Sequence, residues 1–343
     1  MNPITVLDIG ARSGFQSVWD TSLYPVRVIG FEPDPEECRR LNLSTNKSEK
    51  TLVDAKYFPV ALAGERGPRT LYLFNDRRLS SFFRPNKRWL KRFPLDKLLG
   101  KKAFEVVSQV ELECLTLDEF DAEHLAGKAD YIKLDTQGSE LEILQGGSRV
   151  LGNVFAICTE VEFEAIYENQ PLFADIDSFL RREGFTLFDL NRHWWKRAVP
   201  ESVFSRGQMV FADALYVRDY WNPSCIGSYW SNVEGSPEKV EKTIALSALL
   251  GYSDYALQLA DQFEKVGTIT SLERESIVKK YILHPLIQNS SVKIMGNIAG
   301  RLAAKFSKLR TALGASLEMR HAIHLNREFY DNDERKSFRV IGR

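Results

Sequence analysis

The chain has 343 residues, with 46 basic and 46 acidic side chains, so its formal net charge is zero. Hydrophobic residues make up 44% and charged residues 27%, which excludes a disordered, collagen-like or low-complexity chain. Even charge argues against a dedicated nucleic-acid binder, and the length predicts one large domain or two.

The first half predicts alternating strands and helices. Apolar runs at 4–9 and 26–31 read as buried strands, with a helix-sized segment opening near Gly14 between them. A polar helix is predicted from Pro33 through Asn46. Residues 52–62, 69–74 and 106–115 read as strands, with a Gly64–Gly67 turn between the first two. Residues 131–134 form the clearest strand, followed by a helix from Ser139 that stops at Gly146 and Gly147. Residues 154–161 read as another strand, 173–182 as an amphipathic helix, and 185–190 and 209–217 as an antiparallel hairpin with a long loop. This alternation predicts an α/β fold with a mostly parallel sheet covered by helices on both faces. After a Ser/Gly/Asn/Pro-rich stretch at 222–237 the pattern becomes helical: 238–250, 254–266, 271–283 and 292–317. The last piece has an apolar stripe at Ile298, Leu302, Phe306, Leu309, Leu313 and Leu317 and a basic opposite face. That stripe suits packing on neighbouring helices, with membrane-surface contact or a homo-oligomer interface as the other readings.

Cys38, Cys114, Cys158 and Cys225 stand far apart with no CxxC pair. The opening MNPITVLDIG has no secretory pattern, and no apolar run reaches 18 residues. A soluble, cytoplasmic protein with free thiols is expected.

Chemistry concentrates at two glycine-containing strand ends. In VLDIGARSG, Gly10 lets the backbone pass close to a ligand and Gly14 opens the next segment. Glu32 ends the second strand, where a carboxylate accepts ribose hydroxyls. The third glycine of a dinucleotide GxGxxG is absent. Asp8, ahead of the first glycine, would repel phosphates and suits the cationic end of S-adenosyl-L-methionine. In YIKLDTQGSELEILQGG, Asp135 ends a predicted central strand on the ligand edge. Glu140 in the following helix reads equally as a cap or as functional.

These motifs resemble the FkbM-type family of S-adenosylmethionine-dependent methyltransferases: VLDIGARSG, GFEPDP, PVALAGERG, Leu79-Ser80-Ser81, ECLTLDEF, YIKLDTQGSELEILQGG, and 159–190 match in order over about the first 217 residues. Arg12 and Ser13 depart from the family's usual pair, and no helix precedes the first strand here. The resemblance implies a Rossmann-like class I methyltransferase sheet over 1–220, then a helical domain at 221–325 without a family counterpart and a polar tail at 326–343. It implies O-methylation of a hydroxyl, typically on a sugar or secondary metabolite. Gly10 and Gly14 would lie against the methionine moiety, Glu32 would hold the ribose, Ala61 the adenine, and Asp135 the methionine amine or the transferred methyl.

Removing a hydroxyl proton requires a base. Asp135, Glu160, Glu162 and His193 are the candidates; Glu160 and Glu162 share one face of the fifth strand. Trp194 and Trp195 beside His193 suit stacking on a sugar or act as apolar plugs. The long basic and aromatic segment at 75–102 reads as a solvated loop or as a substrate lid for a nucleotide- or lipid-linked acceptor, with Ser81 and Arg84 as acceptor contacts. No metal site is implied by ligand spacing. The rivals are an NAD-linked oxidoreductase and a non-catalytic cofactor- or sugar-binding module whose helical region recruits a partner.

Overall fold

The computed structural model describes residues 2–284 apart from 13, 15–16, 46–51, 126, 199–203 and 224–227. The expected helix at 292–317, its apolar stripe and the tail at 326–343 lie outside the described residues.

Strand β1 (Ile4–Ile9) is buried along its whole length, as its unbroken apolar run requires of a parallel strand covered on both faces. The chain then turns at Gly10 and Gly14. The helix expected here is instead a five-residue 3-10 segment, Ser17–Thr21. Strand β2 (Val26–Phe31), helix α1 (Pro35–Thr45) and strand β3 (Val53–Phe58) follow. The single strand expected at 52–62 is broken at Pro59, and its last residues, β4 (Ala61–Leu62), join another sheet. That sheet also holds β5 (Gly67–Phe74) and β6 (Val106–Leu115) in the order β4-β6-β5.

The segment between β5 and β6 is not a solvated loop. Short helices α2 (Lys87–Leu90) and α3 (Leu95–Leu98) interrupt it. Trp89, Leu90 and Phe93 are buried in an apolar cluster with Phe74, Tyr167 and Trp195. Trp89 and Phe93 of this segment therefore supply core, while Arg77, Arg78 and Phe82 near its start line the cavity described below.

Helix α4 (Leu117–His124) begins with a capping box in which Thr116 and Glu119 bond each other's backbone N–H. Strand β7 (Tyr131–Leu134), helices α5 (Glu140–Gln145) and α6 (Ser148–Leu151), strand β8 (Ala156–Glu162) and helix α7 (Phe173–Arg182) lead to a hairpin of β9 (Thr186–Trp195) and β10 (Gln208–Val217). The main sheet runs β3-β2-β1-β7-β8-β10-β9, with only β10 antiparallel to its neighbours. Strand order reverses between β1 and β7, which opens a crevice at their carboxyl ends.

Helices α4 to α7 cover one face over Leu7, Ile132, Ile157 and Ala214. Helices α8 (Ser228–Glu234), α9 (Pro237–Leu249), α10 (Ser253–Lys265) and α11 (Ser271–Ile277), with a π turn at Val278–Ile282, cover the other over Ile4, Val6, Tyr131 and Ala156. They complete the core of the sheet, and all described residues fall in one compact unit. The boundary expected at residue 220 therefore does not separate two units within the described residues: bare apolar residues on β1, β7 and β8 need these helices as cover.

Arg218 fixes the end of β10. Its buried guanidinium donates to the carbonyls of Val154 (2.9 Å), Glu183 (2.8 Å) and Leu151 (2.6 Å) and lies over the Phe185 ring. Arg218→Leu is expected to cost about 3–5 kcal/mol, read as a lower urea midpoint at unchanged slope, because it orphans buried carbonyls.

Candidate functional site

At the switch point a cavity of about 500 Å³ opens, walled by the loops after β1, β2 and β7 and by the small sheet. Its polar lining includes Gly10, Arg12, Glu32, Asp135, Gln137 and the arginines Arg77 and Arg78; its apolar lining includes Ala61, Leu71, Leu73, Phe82 and Leu112. Gly10 has φ +82°, and a Cβ there would lie 2.0 Å from the Asp135 carbonyl oxygen. The β1 and β7 loops thus touch backbone to backbone, which only glycine permits.

Glu32 is buried at the end of β2. It accepts from the Asp34 N–H at 2.9 Å, and Arg12 Nη1 lies 3.6 Å away. Burial raises its pKa, while the Asp34 N–H and the Arg12 charge oppose the rise. Arg12 also bonds Asp34 at 3.2 Å, so this residue faces the acids of the second loop. Asp135 is open to the cavity, with 42% of its side chain exposed. Burial opposes its ionisation, but Lys133, Glu160 and Gln137 together hold its pKa below the usual range.

Asp8 does not line the cavity. It is buried behind it and paired with Lys133 at 3.3 Å, and Lys133 Nζ also donates to the Gly10 carbonyl at 3.2 Å. The aspartate before the first glycine therefore anchors a lysine that braces the loop. Gly14 does not line the cavity either; its φ of +79° shapes the turn.

Glu140 accepts from Thr136 N (2.6 Å) and Gly138 N (2.9 Å) and so shapes the loop after β7. Gln137, in the left-handed region at φ +61°, bridges Asp135 and Glu160 with its amide. Glu162 is fully buried, and neither carboxyl oxygen forms a hydrogen bond among the described residues. Burial pushes its pKa well above the usual carboxylate range, aided by the charges of Glu140 and Asp135. The folded chain then keeps a proton that the unfolded chain releases above its ordinary value of 4.5. Stability should fall as pH rises through that window, since the native state binds more protons. Glu162→Gln is expected to remove this part of the decline, measured by urea denaturation from pH 4 to 9.

His193 lies on β9, stacked on Phe211 and 3.5 Å from Asp213. The loop expected around it is strand. Asp135 follows β7, and β8 and β10 separate β7 from β9. Three spacings of about 4.8 Å put His193 roughly 14 Å from Asp135, at the outer margin of any shared site. Trp195 is buried against Trp89 and Phe93, the plug alternative. Trp194 is 48% exposed beside Arg192. Ser81 is buried and donates to the Gln137 carbonyl at 2.6 Å, and Arg84 bonds the Tyr72 hydroxyl at 3.0 Å; neither lines the cavity.

The sequence reading missed Gln137, Lys133 and the apolar wall of β5 and β6. A glutamine between an acid-ending strand and a glycine was the one local cue for the first. Among the described residues no helix is long and apolar enough to cross a membrane, and no cluster has metal-ligand geometry.

Residues 8–187 match the model of the methyltransferase FkbM domain, more than half of the chain. The chain belongs to the FkbM methyltransferase family. It is 26% identical over 180 residues to the 2-O-methyltransferase NoeI of Sinorhizobium fredii, covering 50% of this chain and 69% of that one. Two solved structures are also similar. One is a SAM-dependent methyltransferase from Methanosarcina mazei (TM-score 0.30, 10% identity, 64% of this chain and 93% of that one). The other is a Streptococcus pneumoniae protein described as a candidate tRNA (m1A22) methyltransferase (TM-score 0.30, 14% identity, 84% and 92%). Scores this low carry no argument about site or substrate. For this family member, the cavity at the β1–β7 switch point is the candidate active site.

Proposed function

We propose that this FkbM family member transfers the methyl group of S-adenosyl-L-methionine to a hydroxyl oxygen of a sugar or glycan. The observation that carries the reading is the order of strand ends that line one cavity: Asp135 follows β7, Gly10 follows β1, Glu32 follows β2 and Ala61 lies beyond β3, in the sheet order β7-β1-β2-β3. That order suits a ligand with a cationic amino-acid end, a ribose and a flat base. Glu32 would accept the ribose hydroxyls, and Ala61, Leu71, Leu73 and Phe82 would cover the adenine. The donor supplies a sulfonium methyl: the acceptor oxygen bonds its carbon, the carbon–sulfur bond breaks with its electrons left on sulfur, and the hydroxyl proton goes to a base.

A dinucleotide suits the site less well. Its pyrophosphate needs an α-helix N-terminus after β1. Among the described residues that stretch holds only the 3-10 segment Ser17–Thr21. Transfer to an oxygen is favoured by the likeness to a 2-O-methyltransferase. The acceptor would enter over β8 and β10, where Glu160 and Asp213 are paired across the strands. The reading is tested by incubating the protein with methyl-labelled S-adenosylmethionine and a panel of glycans. Label in a glycan, lost by about a hundredfold or more in Asp135→Asn, is the expected outcome. Hydride transfer with NAD and no labelled product would reject it.

A further inference from the structure

Methyl transfer from a sulfonium removes a positive charge from the site while a hydroxyl gives up a proton. A site that stays neutral throughout needs one negative charge before transfer and one extra proton after it. Asp135 and Glu160 each follow one half of a paired position on neighbouring parallel strands, Leu134 beside Thr159. Gln137 Nε2 donates to Asp135 Oδ1 at 2.8 Å and to Glu160 Oε2 at 3.1 Å. The Asp135 carboxylate can only accept, which turns the amide NH₂ toward the carboxyls, and Tyr167 Oη lies 2.7 Å from Gln137 Oε1 and 3.0 Å from the Leu79 carbonyl. Ser81 holds the Gln137 carbonyl, and the backbone there is left-handed. A residue in the left-handed region whose side-chain amide and carbonyl are both committed, in the lining of a ligand cavity, points to a positioning role.

We infer that Asp135 and Glu160 act as one carboxyl pair, positioned by Gln137, that holds a single proton opposite the sulfonium and takes the hydroxyl's proton as the methyl leaves. This rests on the S-adenosylmethionine reading above. Burial, and then the neighbouring charge of Asp135, raise Glu160. At Asp135 burial is outweighed by Lys133 and by the bonds from Glu160 and Gln137. The resting pair is therefore an Asp135 carboxylate beside a Glu160 acid. Lys133 is shared between two acids, 3.3 Å from Asp8 and 3.6 Å from Asp135, so its one charge faces two carboxyls. The other groups facing the pair are Glu162 on β8, Glu140 on α5, the Tyr167 phenol and Asp213 on β10. In transfer the O–H electrons stay on the oxygen that bonds the methyl carbon, and the proton passes to an Asp135 Oδ. The sum over donor and pair is zero before and after.

The test needs no acceptor. Binding of S-adenosylmethionine and of S-adenosylhomocysteine to the full chain is measured by calorimetry from pH 5 to 9. The sulfonium ligand should bind about tenfold tighter or more at pH 8, the equivalent of one pKa unit of coupling to an opposite charge. That preference should persist down to pH 5, because Asp135 takes up its proton only below the ordinary carboxylate value of 3.8. In the isosteric double variant Asp135→Asn, Glu160→Gln, the two ligands should bind within about twofold at every pH. Gln137→Gly keeps the left-handed backbone and should weaken the preference without abolishing binding of S-adenosylhomocysteine. A preference that is absent in the wild type or collapses between pH 8 and 5, or that survives in the double variant, would overturn the inference. Failure of both ligands to bind the wild type would instead remove the cofactor reading on which it rests.

Discussion

Gly10→Ala is expected to be the most damaging single methyl in the protein. The new Cβ would meet the Asp135 carbonyl oxygen at 2.0 Å, and backbone on both sides leaves no flexible side chain to move away. The φ of +82° adds a left-handed penalty of about 1–2 kcal/mol. Together these predict a loss of about 4 kcal/mol or more in urea denaturation, or no folded protein at all. Gly14→Ala is the internal comparison. Its φ is nearly the same, +79°, but the closest atom to a Cβ is Leu41 Cδ2 at 3.6 Å. Only the backbone penalty applies, about 1–2 kcal/mol. Equal losses for the two variants would mean that the contact between the β1 and β7 loops is not what demands Gly10.

Glu32→Ala is expected to weaken S-adenosylhomocysteine binding by about a hundredfold or more. Hydrogen bonds to a charged acceptor contribute about 1.5–3 kcal/mol each, and a ribose offers two hydroxyls. The variant should fold, since the Arg12 guanidinium that Glu32 leaves behind keeps Asp34 as a partner. Calorimetric titration of variant and wild type, with thermal melts alongside, separates the two effects. An affinity within about threefold of the wild type in a folded variant would reject Glu32 as the ribose ligand.

The strands with dense apolar patterning were legible from the chain: β1, β2, β6 and β7 fall on the runs that predict them. The ends were less legible where one residue redirects the backbone. Pro59 hands β4 to a second sheet, and no local pattern says which sheet a two-residue strand will join. His193 was read as a loop residue because Asn191-Arg-His-Trp-Trp carries no clear alternation. Pairing with β10, a tertiary effect, extends the strand through it. The aromatic and basic segment at 75–102 has a composition that fits either a solvated loop or a lid; the packing of Trp89 and Phe93 on Trp195 excludes the solvated loop, and its first residues, Arg77, Arg78 and Phe82, line the cavity. Likewise nothing in the stretch from Asp219 onward shows that its helices roof the first sheet; that depends on the apolar face of β1 and β7 needing a cover.

At the site, the chain order of Gly10, Glu32, Ala61 and Asp135 was enough to place all four on one cavity, since strand ends at a switch point converge. Asp8 was misjudged because a strand residue two positions before the turn points along the sheet face, where Lys133 from the neighbouring strand meets it. Gln137 needed the structure: its partners Tyr167, Ser81 and Glu160 come from three separate segments.

The most direct test of the whole account is calorimetric titration of the purified protein with S-adenosylhomocysteine, with NAD in a parallel cell. The account predicts micromolar binding of S-adenosylhomocysteine, abolished by Glu32→Ala, and no heat with NAD. Heat with NAD and silence with S-adenosylhomocysteine would contradict it.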